Sequence, residues 1–199
     1  MERQHKVVEL FRQHGGQLRM KEAMDAGLSR RALYAMRDSG VIETVSRGVY
    51  RLAELAPLSD PELAAVALRY PNAVLCLISA LSFHEITTQI PRAIQVAVSR
   101  NARPPALDYP TVESHRFSKE AFEAGIEDHK RDGITIRVYS KEKTLADCFK
   151  YRSTLGMEVV IEALKMYQAK QRMDVGELLR YARVCRVESI MRPYLEALL

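Results

Sequence analysis

The chain has 199 residues, and its 30 Lys and Arg against 25 Asp and Glu give a formal charge of +5, a length that accommodates an average domain plus a small module and buries a real core. Its three cysteines, Cys76, Cys148 and Cys185, are far apart in apolar patterns, which excludes a disulfide framework and a Cys-x-x-Cys metal site. The longest near-apolar run, AVLCLISALSF, has eleven residues, far below the ~20 of a membrane span, and MERQHKVVELFRQHGG has no apolar core before a cleavage site, so a soluble, cytoplasmic protein with no membrane partner is expected.

Residues 1–56 carry ten Lys and Arg against seven Asp and Glu, so more than half of the net charge lies in about a quarter of the chain. Val7, Val8, Leu10 and Phe11 recur at helical spacing before Gly15-Gly16, predicting a first helix over 3–14. A shorter helix follows over 21–26, closed by Gly27, and Ser29 is placed to cap a third. In that third helix Ala32, Leu33 and Met36 form an inward stripe, leaving Arg30, Arg31, Tyr34 and Arg37 on the other faces. After Gly40 the period changes to 2. VIETV and VYRL flank Ser46-Arg47-Gly48, and Gly48 supplies the positive φ of a bulged hairpin. Three helices and a hairpin make a winged helix-turn-helix over 1–56. In such a module the third helix lies in the major groove and reads base edges, while other basic groups contact phosphates. Ser29, Arg30, Arg31, Tyr34 and Arg37 are the expected DNA-binding residues of the helix, and Arg47 that of the wing. Tyr50 reads as packing at the base of the wing.

The stretch AGLSRRALYAMRDSGVIETVSRGVYRL resembles the amino-terminal winged helix of the AbiEi family, antitoxins and transcriptional repressors of the type IV AbiE toxin-antitoxin systems of abortive infection. Where that family commonly has an arginine before the wing, this chain has Thr44.

The second domain is expected over 57–199. Pro57 and Pro61 flank Ser59-Asp60, which caps a helix running to about Arg69. AVLCLISALSFHEI reads as one buried helix. AIQVAVSR, TVESHRF and ITIRVYS read as strands, with the proline-rich NARPPALDYP as a loop between the first two. Four helices follow: KEKTLADCFKYR, GMEVVIEALKMYQAK, DVGELLRYARVC and VESIMRPYLEALL. Asp174 and Glu177 make a capping-box-like start, and Pro193 predicts a kink or break near Met191-Arg192. The fold class is therefore α+β, a winged helix followed by a larger domain with a small sheet and a helical carboxy-terminal half. ISALSFHEIT and VYSKEKTLADCFKYR also resemble blocks of the AbiEi family, the second through Tyr139, Ser140, Glu142 to Ala146 and Asp147.

No catalytic constellation stands out. Lys143 and Asp147 share a helix face, and an i, i+4 ion pair of ~0.2–0.5 kcal/mol accounts for them; the alternative is an anion contact near a helix start. His84-Glu85 and His115 lack metal-ligand spacing. There is no GxSxG elbow, Gly-rich phosphate loop or nuclease-like Asp…Glu-x-Lys pattern. No enzyme, cofactor or metal is expected. Arg92, Arg100, Arg103, Arg116, Lys141, Lys143, Lys150 and Arg152 gather near predicted strand ends and the Lys143 helix, a surface suited to DNA, RNA or an acidic protein. Lys141, Lys143, Asp147, Lys150 and Arg152 are its candidate residues for antitoxicity or anion contact. The resemblance implies a non-enzymatic antitoxin that binds repeats upstream of its own operon as an autorepressor. It opposes a nucleotidyltransferase-like AbiEii toxin without necessarily forming a stable complex, as a monomer or weak dimer that binds DNA cooperatively. The alternative is a stand-alone winged-helix regulator whose α+β domain senses a small molecule.

Overall fold

The computed structural model describes residues 2–198, and the chain divides into two compact units, Met1–Pro71 with Lys130–Ile136 and Asn72–His129 with Arg137–Leu199. The first begins with α1 (Glu2–Gln13), β1 (Gln17–Arg19), α2 (Met20–Asp25) and α3 (Arg30–Asp38), then β2 (Ile42–Ser46), β3 (Val49–Leu52) and α4 (Pro61–Arg69). Val7 and Phe11 of α1, Ala23 of α2, and Leu33 and Met36 of α3 close over Leu18, Ile42, Tyr50 and Leu52 in one core. Tyr50 is 3% exposed, the packing role read for it. Backbone bonds from Gly27 N to Met24 O and from Leu28 N to Ala23 O end α2 with Gly27 at φ +89°, the left-handed closure that glycine permits without a Cβ clash. Ser29 Oγ then accepts from Ala32 N at 3.2 Å.

The strand order is β1-β3-β2, all antiparallel. The β2–β3 hairpin has the bulge expected of it, with pairing shifted between Thr44 and Ser46 and Gly48 at φ +76°. Strand β1 is new relative to the sequence reading. Its three residues pair with Val49–Arg51 of β3, and a segment that short shows no period.

The first unit also extends past residue 56. Asp60 caps α4 by accepting from Leu63 N at 2.9 Å, with Pro61 at the first helical position. The helix buries Leu63, Ala64, Ala65 and Val66 and packs on β2 and β3. Residues 130–136 join the same unit: the Asp132 carboxylate accepts from Ser59 N and Oγ at 2.8 and 2.7 Å, and its carbonyl accepts from Gln17 Nε2 at 3.1 Å.

The second unit contains β4 (Val74–Leu75), α5 (Leu77–Phe83), β5 (Ile94–Ser99), β6 (Val112–Phe117) and α6 (Lys119–Glu123). β7 (Ile126–Arg131) and β8 (Ile134–Tyr139) form a hairpin whose tip falls in the first unit. Helices α7 (Lys141–Lys150), α8 (Arg152–Leu155), α9 (Met157–Lys170), α10 (Val175–Cys185) and α11 (Glu188–Glu196) complete it. The larger sheet has the order β6-β5-β4-β8-β7, with β4 antiparallel to β5 and parallel to β8.

Three expectations are corrected. The stretch 73–86 is not one helix: Val74 and Leu75 form β4, Cys76 is extended, and the helix starts only at Leu77. β4 lies in the middle of the sheet and is buried, so it lacks the apolar-polar alternation of a half-exposed strand. Of the kink or break expected near Met191-Arg192, the break does not occur, since the last helix runs through Pro193 from Glu188 to Glu196. Met191 and Leu195, buried on either side of the proline, hold the two halves against the core. Segments α6 and β7 were not anticipated, and the expected helix KEKTLADCFKYR ends at Lys150, with the short α8 adding, among the described residues, a fifth helix to the four expected after β8. Helix α7 is the centre of this unit, with every residue from Lys143 to Phe149 buried, and Ser140 caps it by accepting from Lys143 N at 3.2 Å. Among the described residues no helix is long and apolar enough to cross a membrane.

Candidate nucleic-acid interface

Leu33 and Met36 turn one side of α3 into the core, so the 3.6-residue period sends Arg31, Tyr34, Ala35 and Asp38 outward, with Arg30 and Arg37 toward one edge. Arg30, Arg31 and Arg37 are exposed, Tyr34 is 40% exposed, and Arg47 is exposed in the β2–β3 turn. Helix α3 packs against β2, the strand that leads into that turn. The six residues expected to bind DNA thus lie on one module, from the cap of α3 to its last turn and on the wing.

Their chemical states differ. Ser29 uses its hydroxyl as a helix cap. Between residues 5 and 53, Arg12 pairs with Glu54 at 3.0 Å, Arg19 with Glu22, Arg37 with Asp38 at 2.8 Å and Arg51 with Glu43 at 3.2 Å. Arg30, Arg31 and Arg47 have no carboxylate within ion-pair distance among the described residues. Cations left unpaired on an exposed surface remain available for phosphates, whose neutralisation releases counterions. Asp38 is the residue that the sequence reading passed over. An acid stands at the outward position one residue after Arg37, but adjacency alone does not determine that the two side chains pair.

In the second unit the five candidate residues are not brought together on a surface. Lys143 Nζ lies 2.6 Å from Asp147 Oδ2, and both side chains have 0% exposure. The ammonium stands 4.0 Å from the centroid of the Tyr139 ring and 5.0 Å from that of Phe117. Asp147 Oδ1 accepts from Cys185 Sγ at 3.1 Å. Burial pushes the Asp147 carboxyl above the usual carboxylate range, while Lys143 and the Cys185 thiol pull it down. The i, i+4 pair read in the sequence therefore exists, but inside the core rather than in solvent. Lys141 donates to Gln171 Oε1 at 2.7 Å, and Arg152 Nη1 to Phe149 O at 3.0 Å. Lys150 is exposed. Arg116 donates to the carbonyls of Arg100 and Ala102 and serves the fold of that loop.

His84 donates through Nε2 to Tyr139 O at 2.7 Å, and His115 lies 3.4 Å from Glu113. Among the described residues no three His, Cys, Asp or Glu side chains group to hold a metal ion. Burial lowers the pKa of both histidines from 6.5, against the opposing pull of the Tyr139 carbonyl on His84 and of Glu113 on His115. The unfolded chain then binds protons at a pH where the native one does not, so stability present above about pH 6.5 declines as pH falls from there toward the depressed native values. Thermal unfolding at about pH 7.5 and pH 5.5 should show a loss in the parent that His84→Gln and His115→Gln reduce. An equal loss in parent and variants would assign the acid sensitivity to other groups.

Residues 5–53 match the family model described as transcriptional regulator, AbiEi antitoxin. No curated sequence matches the chain. Among solved structures, the crystal structure of the RV2827C protein from Mycobacterium tuberculosis is similar, at 13% identity and a TM-score of 0.50, covering 96% of this chain and 79% of that one. At that identity the likeness is one of fold. The family match covers the three helices and the hairpin that carry the exposed arginines, about a quarter of the chain, so it is the first unit that is similar to the transcriptional-regulator module of AbiEi antitoxins.

Proposed function

We propose that the chain is the antitoxin of a type IV toxin-antitoxin pair and represses its own operon. The winged helix of residues 1–56 binds operator repeats upstream, with α3 in the major groove. Arg30 and Arg31 act from the helix start, Tyr34 and Arg37 from its later turns, and Arg47 from the wing, while Ser29 fixes the start of the helix. Residues 57–199 carry antitoxicity against a nucleotidyltransferase-like toxin, without catalysis or a cofactor and without need of a stable complex. Lys141, Lys150 and Arg152 are the members of the second candidate set with solvent access; Lys143 and Asp147 act by holding α7. The protein works in the cytoplasm, as a monomer or weak dimer that binds adjacent repeats cooperatively.

One observation carries this reading: Arg30, Arg31 and Arg47 stand exposed, without carboxylate partners among the described residues, on the unit that matches a regulator family. The test is fluorescence anisotropy of the full chain on its own upstream duplex and on a scrambled one, over a series of salt concentrations. The parent should prefer the upstream duplex. Arg31→Ala should lower the slope of log affinity against log salt by about 1 if Arg31 holds a phosphate, or cost ~1–3 kcal/mol of preference if it holds a base. Equal, weak binding of the parent to both duplexes would remove autorepression as the function.

A further inference from the structure

Arg37 differs from the other arginines of the proposed interface. Its Nε and Nη2 both donate to Asp38 Oδ1, at 2.9 and 2.8 Å. Its Cζ lies 5.0 Å from the centroid of the Tyr34 ring. The pair is not buried, with side-chain exposures of 44% for Arg37 and 65% for Asp38, so a groove can receive it.

A guanidinium has five N–H donors in a planar fork. Asp38 occupies the Nε–H and one N–H of Nη2. What remains is the end edge, with one outward N–H on each of Nη1 and Nη2 lying side by side. That edge matches two adjacent acceptors in a plane, and guanine presents N7 and O6 in this way in the major groove. The pair as a whole is neutral, so it contributes little to attraction toward phosphates, and the Asp38 carboxylate repels them. Phosphate binding needs a net cation that tolerates many orientations. Base reading needs a fork held in one plane, and here Asp38 and the Tyr34 ring hold it.

We infer that Arg37 is a specificity-determining residue that reads a guanine in the major groove, with Asp38 and Tyr34 as its positioning residues, while Arg30, Arg31 and Arg47 anchor phosphates. The inference rests on the DNA-binding reading above and divides its residues into two chemical roles.

The experiment removes the pair without changing the net charge. The full chain enriches a duplex from a randomised library, and anisotropy then compares that duplex with a scrambled one for the parent, Arg37→Ala/Asp38→Ala and Arg31→Ala. Because both residues of the pair are exposed at the last turn of α3, the double variant keeps the core intact, and circular dichroism checks it. The double variant should lose about tenfold to hundredfold of its preference for the enriched duplex at an unchanged salt slope. Arg31→Ala should weaken both duplexes alike and lower the slope by about 1. Replacing the guanines one at a time with 7-deazaguanine, which lacks the N7 acceptor, should reveal one position that costs the parent preference and costs the double variant nothing.

A double variant with the parent's preference overturns the inference, because the pair is then only a solvated surface contact. So does a 7-deazaguanine series whose every position costs parent and variant the same. If the parent enriches no duplex at all, the DNA-binding reading itself fails and takes this assignment with it, an outcome distinct from the other two.

Discussion

Asp147→Ala should destabilise the chain by about 3–5 kcal/mol, the cost of leaving a buried charge without its partner. The Lys143 ammonium has 0% exposure and stands between the Tyr139 and Phe117 rings, so water cannot replace the lost carboxylate without opening the core. The Cys185 thiol loses its acceptor in the same step. A loss of that size is a large share of the ~5–15 kcal/mol that holds a typical domain together. Replacing both partners with apolar residues of similar volume, Lys143→Met with Asp147→Leu, removes the charge as well as its partner and should be far less damaging or even stabilising. Denaturant unfolding followed by far-UV circular dichroism measures both. A single variant within about 1 kcal/mol of the parent would mean that water reaches the pair.

This outcome bears on how the second unit is probed for antitoxicity. A scan that scores only protection from the toxin would pick out Lys143 and Asp147, because their loss unfolds α7. The double apolar variant separates the two explanations. It should retain protection if the pair only supports the fold, and lose protection at full stability if the charges themselves are used.

Gly125→Ala is the second large effect, expected at about 2–5 kcal/mol. Gly125 has φ +72°, and a Cβ there would lie 2.8 Å from Lys143 Cβ and 2.9 and 3.0 Å from two atoms of the Tyr181 ring. The left-handed backbone alone costs a residue with a side chain roughly 1–2 kcal/mol, and forcing a methyl into a packed core adds about 1–3 kcal/mol. The Gly125 carbonyl also accepts from Ser140 N at 2.7 Å, which places Ser140 to cap α7. Gly27→Ala is the control. Its φ is +89°, but a Cβ there meets nothing within 4 Å, so only the backbone term applies. If the two substitutions cost the same by denaturant unfolding, the packing around Lys143 is looser than these distances describe.

Most of the first unit was legible in the sequence because its signals are local. Ser29 bonds to Ala32 and Asp60 to Leu63, each three residues on, and Gly27, Gly40 and Gly48 take the positive φ that closes a helix or turns a hairpin. The inward stripe of α3 follows from a period read within one helix. In the second unit the same holds for Asp174, which caps α10 through Glu177 N at 3.0 Å. The candidate arginines were legible as exposed for the same reason, since they occupy what the stripe leaves over. Which of them is paired was not, because a side chain next to an arginine in sequence does not by itself determine where the fork points.

The sequence by itself determined most of the longer helices, the caps of α3, α4 and α10, the wing turn and the α+β class, which depend largely on partners within a few positions. Tertiary structure decided the rest. β1 and β4, with three and two residues, have no period of their own and exist because β3, β5 and β8 supply hydrogen bonds from distant parts of the chain. Helix α11 continues through Pro193 because Met191 and Leu195 are held in the core. The Lys143–Asp147 pair was visible as a spacing, but its surroundings were not. Phe117, Tyr139 and Cys185 converge on it from β6, β8 and α10, and burial by these distant residues turns a weak surface pair into an interior one, where the loss of either charge is costly.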